Sequence, residues 1–161
     1  MKEFIIIEGN ILDDDAQALV NTVNCKGVMG SGLALQFKEA YEDMFEAYKQ
    51  ACTENKVQLG KMHVWKQEGQ SSLISETSII INFPTKHHWK DKSNLEDIKL
   101  GLQDLRKVIA QEKIDTIAIP QLGCGLGGLD WPDVEPLIRE ELRGVEAEVR
   151  VYVPVQIDQA A

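Results

Sequence analysis

Two stretches of the chain have the residue types to hold an anion. The first is Asn21-Thr22-Val23-Asn24-Cys25-Lys26-Gly27-Val28-Met29-Gly30-Ser31-Gly32, and the second is Ile119-Pro120-Gln121-Leu122-Gly123-Cys124-Gly125-Leu126-Gly127-Gly128-Leu129. Each runs from an apolar segment through glycines into a helical pattern. Closely spaced glycines permit positive φ and close backbone approach, so several N–H groups can converge on a phosphate, and the dipole of the following helix adds to them. Neither loop has a P-loop lysine, and the spacing of Gly27, Gly30 and Gly32 does not match the dinucleotide fingerprint. One such loop is commonly a simple connection. Two of them, each following a strand, can close on a single diphosphate, because ligands of α/β sheets collect outside the carboxyl ends of parallel strands. The expected ligand is a diphosphate-bearing nucleotide.

The third stretch is Pro84-Thr85-Lys86-His87-His88-Trp89-Lys90-Asp91-Lys92, directly after the apolar run Ile79-Ile80-Ile81-Asn82-Phe83. A lysine at a strand end is ordinarily a solvated cation. It becomes a nucleophile only when unprotonated, which requires burial or a nearby cation to bring its pKa below about 10.4. His87, His88 and Lys90 are the neighbours expected to supply that positive surrounding. Lys86, His87, His88, Lys90 and Lys92 also form a local cationic strip, with Trp89 as a stacking surface, where a single-stranded nucleic acid could approach. Asp130 is either an acid–base group near the site or the start of a helix. Cys124 sits among glycines with no evident base and reads as a small residue tolerated in a tight loop. His63, His87 and His88 lack partners at metal-ligand spacing, so no metal site and no cofactor are expected.

Positioning these loops requires strands, and short β-branched runs are found at Phe4–Ile7, Ala18–Val23, Met62–Trp65, Ser78–Phe83, Thr116–Ile119 and Val149–Val153. Several are apolar on both faces, as in a sheet covered by helices on each side. Leu33, Phe37, Tyr41, Met44, Phe45 and Tyr48 share one face of a helix predicted over 33–48. A second helix carries Leu95, Ile98, Leu102, Leu105 and Ile109, with Ser93 and Glu96 as a capping box. A third begins near Asp133, with Pro136 in its first turn, and ends at Gly144. The alternation argues an α/β fold with a largely parallel sheet.

The 161 residues, 43% hydrophobic and 27% charged, describe one globular domain. A net charge of -9 opposes non-specific adhesion to membranes or duplex DNA, so any anion must be held locally. Three widely spaced cysteines fit a reducing cytoplasm. No apolar run reaches the length of a membrane span and no leader pattern opens the chain, so a cytoplasmic protein without membrane association is expected.

Glu8-Gly9-Asn10-Ile11-Leu12, the 21–32 loop and Pro120–Gly128 occur in the order and at the spacing of the macrodomain family, and the resemblance covers nearly the whole chain. Val20-Asn21-Thr22-Val23-Asn24, Gly27-Val28-Met29-Gly30 with Ala34-Leu35-Gln36-Phe37-Lys38, and Asn82–Trp89 resemble its DarG-type branch, the antitoxins that remove ADP-ribose from DNA. That resemblance implies a three-layer α/β/α fold over 1–157 with a mixed, mostly parallel sheet of about six strands, and a short disordered tail at 158–161. It implies adenine near Asn10 and Ile11, and the distal ribose near Asn24. The ligand-binding set becomes Asn10, Ile11, Asn21, Asn24, Val28, Met29, Gly30, Ser31, Gly32, Leu33, Thr85, Leu122, Gly123, Cys124, Gly125, Leu126, Gly127 and Gly128, and the catalytic pair Lys86 and Asn24.

Two departures from family patterns stand out. Asn10 occupies a position where many macrodomains have an aspartate that accepts from the adenine amino group, and its amide oxygen can accept as well. Gly127 lies where a relative that pairs lysine with aspartate carries the aspartate, so that acid–base partner is absent. The implied activity is an ADP-ribosyl glycohydrolase acting on ADP-ribosylated thymidine in single-stranded DNA, as a monomer, with a DarT-like toxin as a partner. A non-catalytic ADP-ribose module, and hydrolases of protein-linked ADP-ribose or ADP-ribose 1″-phosphate, share the same pocket.

Overall fold

A computed structural model describes residues 3–67 and 77–154. Six strands form one sheet: β1 (Glu3–Glu8), β2 (Ala18–Val23), β3 (His63–Lys66), β4 (Ile79–Pro84), β5 (Thr116–Ile119) and β6 (Glu148–Val153). Their order is β1-β6-β5-β2-β4-β3, with every neighbouring pair parallel except β3 with β4. The sheet is mixed and mostly parallel, as expected, and the carboxyl ends of β1, β6, β5, β2 and β4 share one edge.

Four helices cover its two faces: α1 (Gly32–Ala40), α2 (Glu42–Thr53), α3 (Leu95–Gln111) and α4 (Trp131–Glu141). Period-two alternation divides the strands between two cores. Ala18 and Val20 of β2, with Ile79, Ile81 and Phe83 of β4, pack with Ile98, Leu102 and Leu105 of α3 and Val134 and Ile138 of α4. Leu19, Val23 and Ile80 face Phe37 of α1 and Met44, Phe45 and Tyr48 of α2. The architecture is three-layer α/β/α.

Three helix expectations need correction. The predicted helix over 33–48 is two helices, broken at Tyr41, whose backbone leaves the helical region at φ -135 and ψ 72. Its ring lies beside Phe37 and edge-on to Trp65 of the edge strand. Every apolar position of the predicted stripe still faces inward at least in part, so periodicity alone could not reveal the break. The cap of α3 is Asn94, whose side chain accepts from the Asp97 N–H at 2.9 Å, rather than Ser93. Ser93 is instead drawn under the second glycine loop, its N–H donating to the Gly127 carbonyl at 3.0 Å. α4 begins two residues earlier than expected, with Asp130 at the N-cap position and Pro132 in the first turn, so Pro136 lies inside the helix, which ends at Glu141 before the turn to Gly144. Residues 158–161, expected as a tail, lie outside the described residues.

Helix and sheet pack closely at Gly101 of α3, where an added Cβ would lie 2.3 Å from the Phe83 ring. Gly101→Ala should therefore destabilise the protein by about 2 kcal/mol, overpacking outweighing the better helix propensity of alanine. A urea midpoint equal to or above wild type would show that α3 can withdraw without cost.

Candidate functional site

A cleft of about 960 Å³ runs along the carboxyl edge of the parallel strands. Its lining follows the sheet order: Gly9, Asn10 and Ile11 after β1, Tyr152–Pro154 at the end of β6, Pro120, Gln121, Gly123 and Gly125–Gly127 after β5, Thr22–Asn24 at the end of β2, and Thr85 and Lys86 after β4. Val28, Gly30 to Ala34 and Gln36 form the facing wall, and Trp89 the rim.

The β2–β4 ladder continues past both strand ends. Val23 is paired with Pro84, then the Thr85 N–H donates to the Val23 carbonyl and the Cys25 N–H to the His87 carbonyl, each at 2.9 Å. Asn24 and Lys86 thereby both reach the cleft. The Asn24 side chain, 7% exposed, is largely engaged: Oδ1 accepts from the Lys26 N–H at 2.9 Å and lies 3.0 Å from the buried Tyr48 hydroxyl, while Nδ2 donates to the Val28 carbonyl. Its local work is to fold the 24–28 turn. That leaves one amide hydrogen for the cleft.

Both glycine loops leave backbone donors uncommitted. Ser31 occupies the N-cap position of α1 without a side-chain cap, so the first N–H groups of that helix have no partner from it. In the second loop Cys124, Gly128 and Leu129 donate within the turn, whereas the N–H groups of Gly125, Leu126 and Gly127 donate to no described residue. Two sets of free donors facing one cleft suit a diphosphate.

Gly127 is fixed by sterics. A Cβ there would lie 2.4 Å from Ser93 Oγ and 2.5 Å from the Gly123 carbonyl oxygen. No aspartate can enter this position without moving the loop, so no carboxylate from position 127 accompanies Lys86 in the cleft.

Lys86 is partly buried, and its pKa is lowered, first by burial and then by Lys92, with Asp91 acting in the opposite direction. The cation responsible is Lys92, where His87, His88 and Lys90 were the sequence expectation. Lys92 Nζ also donates to the Leu126 carbonyl at 3.4 Å. The predicted cationic strip is a folded turn: Asp91 accepts from the His88 N–H, His88 Nδ1 accepts from the Lys90 N–H, and Lys90 lies over the Trp89 ring at 4.9 Å.

Other expected residues stand behind the lining. Asn21 is fully buried and lies in a cross-strand row with Asn82 and His63, its Nδ2 donating to Asn82 Oδ1 at 3.2 Å. Asn82 Nδ2 lies 3.0 Å from His63 Nδ1, and burial lowers the His63 pKa, so the neutral ring accepts there. Met29 and Leu122 are buried beneath the two loops. Cys124 packs against the core, with its thiol pushed up to about 11 by burial and Asp130. Gly128 lies outside the lining, against the Lys92 stem. Asp130 is exposed at the start of α4, also outside the lining. Asn10 Oδ1 already accepts from the Leu12 N–H at 3.0 Å.

Sequence reading missed Tyr152, Val153 and Pro154. They follow no glycine, and only the position of β6 beside β1 reveals that its end meets the cleft. The Tyr152 hydroxyl hydrogen-bonds Asp14, and Arg150 pairs with Asp14, Asp15 and Glu148, tying β6 to the segment after Asn10.

The Macro domain family profile matches residues 20–138. A Thermus aquaticus protein named DNA ADP-ribosyl glycohydrolase is 44% identical over 155 residues, 96% of this chain and 42% of that protein. The chain thus spans less than half the length of this relative. The macrodomain of Mycobacterium tuberculosis DarG superposes with a TM-score of 0.88 at 45% identity, covering 94% of this chain and 97% of that one. Thermosipho africanus DarTG, solved in complex with ADP-ribose, superposes with a TM-score of 0.89 at 33% identity over 98% of this chain and 43% of its own.

The steric limit at Gly127 gives a direct test of the second loop. Gly127→Ala should weaken ADP binding, measured by calorimetry, at least ~10-fold, equivalent to about 1.4 kcal/mol. Unchanged affinity would mean that this loop does not hold the diphosphate.

Proposed function

The chain belongs to the macrodomain family, and from that premise we propose that it binds ADP-ribose in this cleft and hydrolyses the bond joining the distal ribose to a thymidine base of single-stranded DNA. The adenine occupies the end formed by Asn10, Ile11 and Tyr152. The diphosphate lies between the free N–H groups of the α1 terminus and those of Gly125–Gly127. The distal ribose meets Asn24 and Lys86. Support comes from the relatives that bear the glycohydrolase name and from the ADP-ribose complex of the Thermosipho protein.

The observation that carries the reading is Lys86: a partly buried lysine of lowered pKa at the cleft's distal end, with Gly127 where a carboxylate would otherwise stand. In its neutral form Nζ offers a lone pair to the anomeric carbon. As the N–C1 bond forms, the bond from C1 to the base nitrogen breaks, the base leaves with its electron pair and takes a proton from water, and the hydroxide so formed attacks C1, returning the N–C1 electron pair to Nζ and releasing ADP-ribose and the free amine. Asn24, through the turn it folds, positions the ribose. We further propose that the domain acts as a monomer in the cytoplasm and meets a DarT-like toxin as its biological counterpart.

Lys86→Ala should lower release of ADP-ribose from single-stranded DNA carrying ADP-ribosyl-thymidine by at least ~10²-fold, with ADP-ribose affinity, measured by calorimetry, within about twofold of wild type. Binding without release by the wild-type protein would make the domain a reader of ADP-ribose, and equal release by both proteins would remove Lys86 from the chemistry.

The pH dependence follows from the charges around Lys86. Activity should rise with pH as Nζ deprotonates, and a lowered pKa brings this rise below the ordinary lysine range. Removing the cation that depresses the pKa, by Lys92→Met, should move the rise to higher pH. Asp91→Asn, which keeps an acceptor for the His88 N–H, should move it to lower pH. Profiles that coincide with wild type in both variants would assign the pH dependence to another group.

A further inference from the structure

A second groove, of about 990 Å³, adjoins the cleft, and Val28 and Gly30 line both. Its charge is one-sided. Lys26 of the first loop, Lys38 of α1, Lys49 of α2 and His87 line it, and no aspartate or glutamate does. This contrasts with a chain of 26 acidic and 17 basic residues. Among the described residues none of these lysines forms an ion pair. Lys38 lies over the Phe45 ring at 4.4 Å, which holds its charge toward the groove without neutralising it.

The groove is joined to the reacting end of the cleft. Lys86 lines the cleft and His87, the next residue, lines the groove, while the Cys25 N–H bond to the His87 carbonyl fixes this segment to the loop that separates the two. Phe45 and Val57 line it from the core, both buried, so the lysines set its exposed character. A groove of unpaired cations is what the phosphates of a single nucleic-acid strand require. The opposite approach, over Lys90 and Lys92, is less open to phosphate, because Lys92 is bonded to the Leu126 carbonyl and Asp91 stands between the two lysines.

We infer that this groove seats the phosphodiester backbone of the single strand flanking the nucleotide presented to Lys86. The groove rests on the glycohydrolase reading for what occupies the cleft, but its affinity for a strand can be measured without turnover. Lys38 and Lys49 then act on strand binding alone, remote from the ADP-ribose contacts.

The test uses fluorescence anisotropy of a labelled, unmodified oligothymidylate across a salt series, comparing wild type with the Lys38→Gln/Lys49→Gln double variant and with Lys90→Gln. For the double variant, the slope of log affinity against log salt should shrink by about 0.7 for each lysine removed, and Lys90→Gln should leave it near wild type. In turnover, the double variant should raise KM for an ADP-ribosylated oligonucleotide about fivefold or more while leaving ADP-ribosyl-thymidine nucleoside, which has no flanking phosphates, unaffected. An unchanged salt slope overturns the inference. So does retained oligonucleotide binding with lost binding of polyglutamate, which would make the groove a seat for an acidic protein segment. A changed slope in a protein with no turnover of either substrate would leave the groove standing and remove the glycohydrolase reading.

Discussion

Asn24 and Lys86 line the same cleft because two parallel strands run out of the sheet together. Strand pairing normally ends where loops diverge, yet here the β2–β4 ladder is prolonged by Thr85 donating to Val23 and Cys25 donating to His87. That continuation carries the precision of a buried sheet into the two segments that bear the site. Pro84, which cannot donate, closes β4 beyond the last residue paired with β3, so its missing N–H leaves no gap on that side. The distal end of the cleft is therefore built on two interior strands of the sheet.

The glycine loops rest on the same frame in a different way. Each leaves its strand, turns over the edge of the sheet and enters a helix, and neither helix start is closed by a side chain: Ser31 and Asp130 occupy the N-cap positions without capping hydrogen bonds. Ser93, drawn beneath Gly127, fills the space under the second loop so that no side chain can enter from below. At α1, whose first residues line the cleft, the donors left uncapped face the ligand space, whereas the start of α4 lies outside the lining.

Much of this was legible in the sequence. The six apolar runs became six strands, with ends displaced by a residue at most sites, because β-branched stretches buried on both faces have few other solutions. The two loops were legible because glycine is chemically conspicuous. The break at Tyr41 was not, since both helices turn the same stripe inward and the ring at the break packs edge-on to Trp65, a residue remote in sequence. Asn21 illustrates the limit of motif reading: it belongs to the same run as Asn24, but strand alternation turns it into the α1–α2 layer, where it pairs with Asn82. Tyr152 and the role of Lys92 were illegible for a related reason, as both depend on which strand lies beside which, and on how a turn folds, rather than on local composition.

The ion cluster on β6 has a consequence for traffic to the site. Arg150 is one guanidinium facing three carboxylates, Asp14, Asp15 and Glu148, so the cluster that braces the Asn10 end of the cleft keeps an excess of negative charge. The far end, past Lys86, opens toward lysines with no carboxylate among them. The two ends of the cleft thus differ in the sign of their nearby charge, an asymmetry that would favour one orientation of an approaching polyanion over the other.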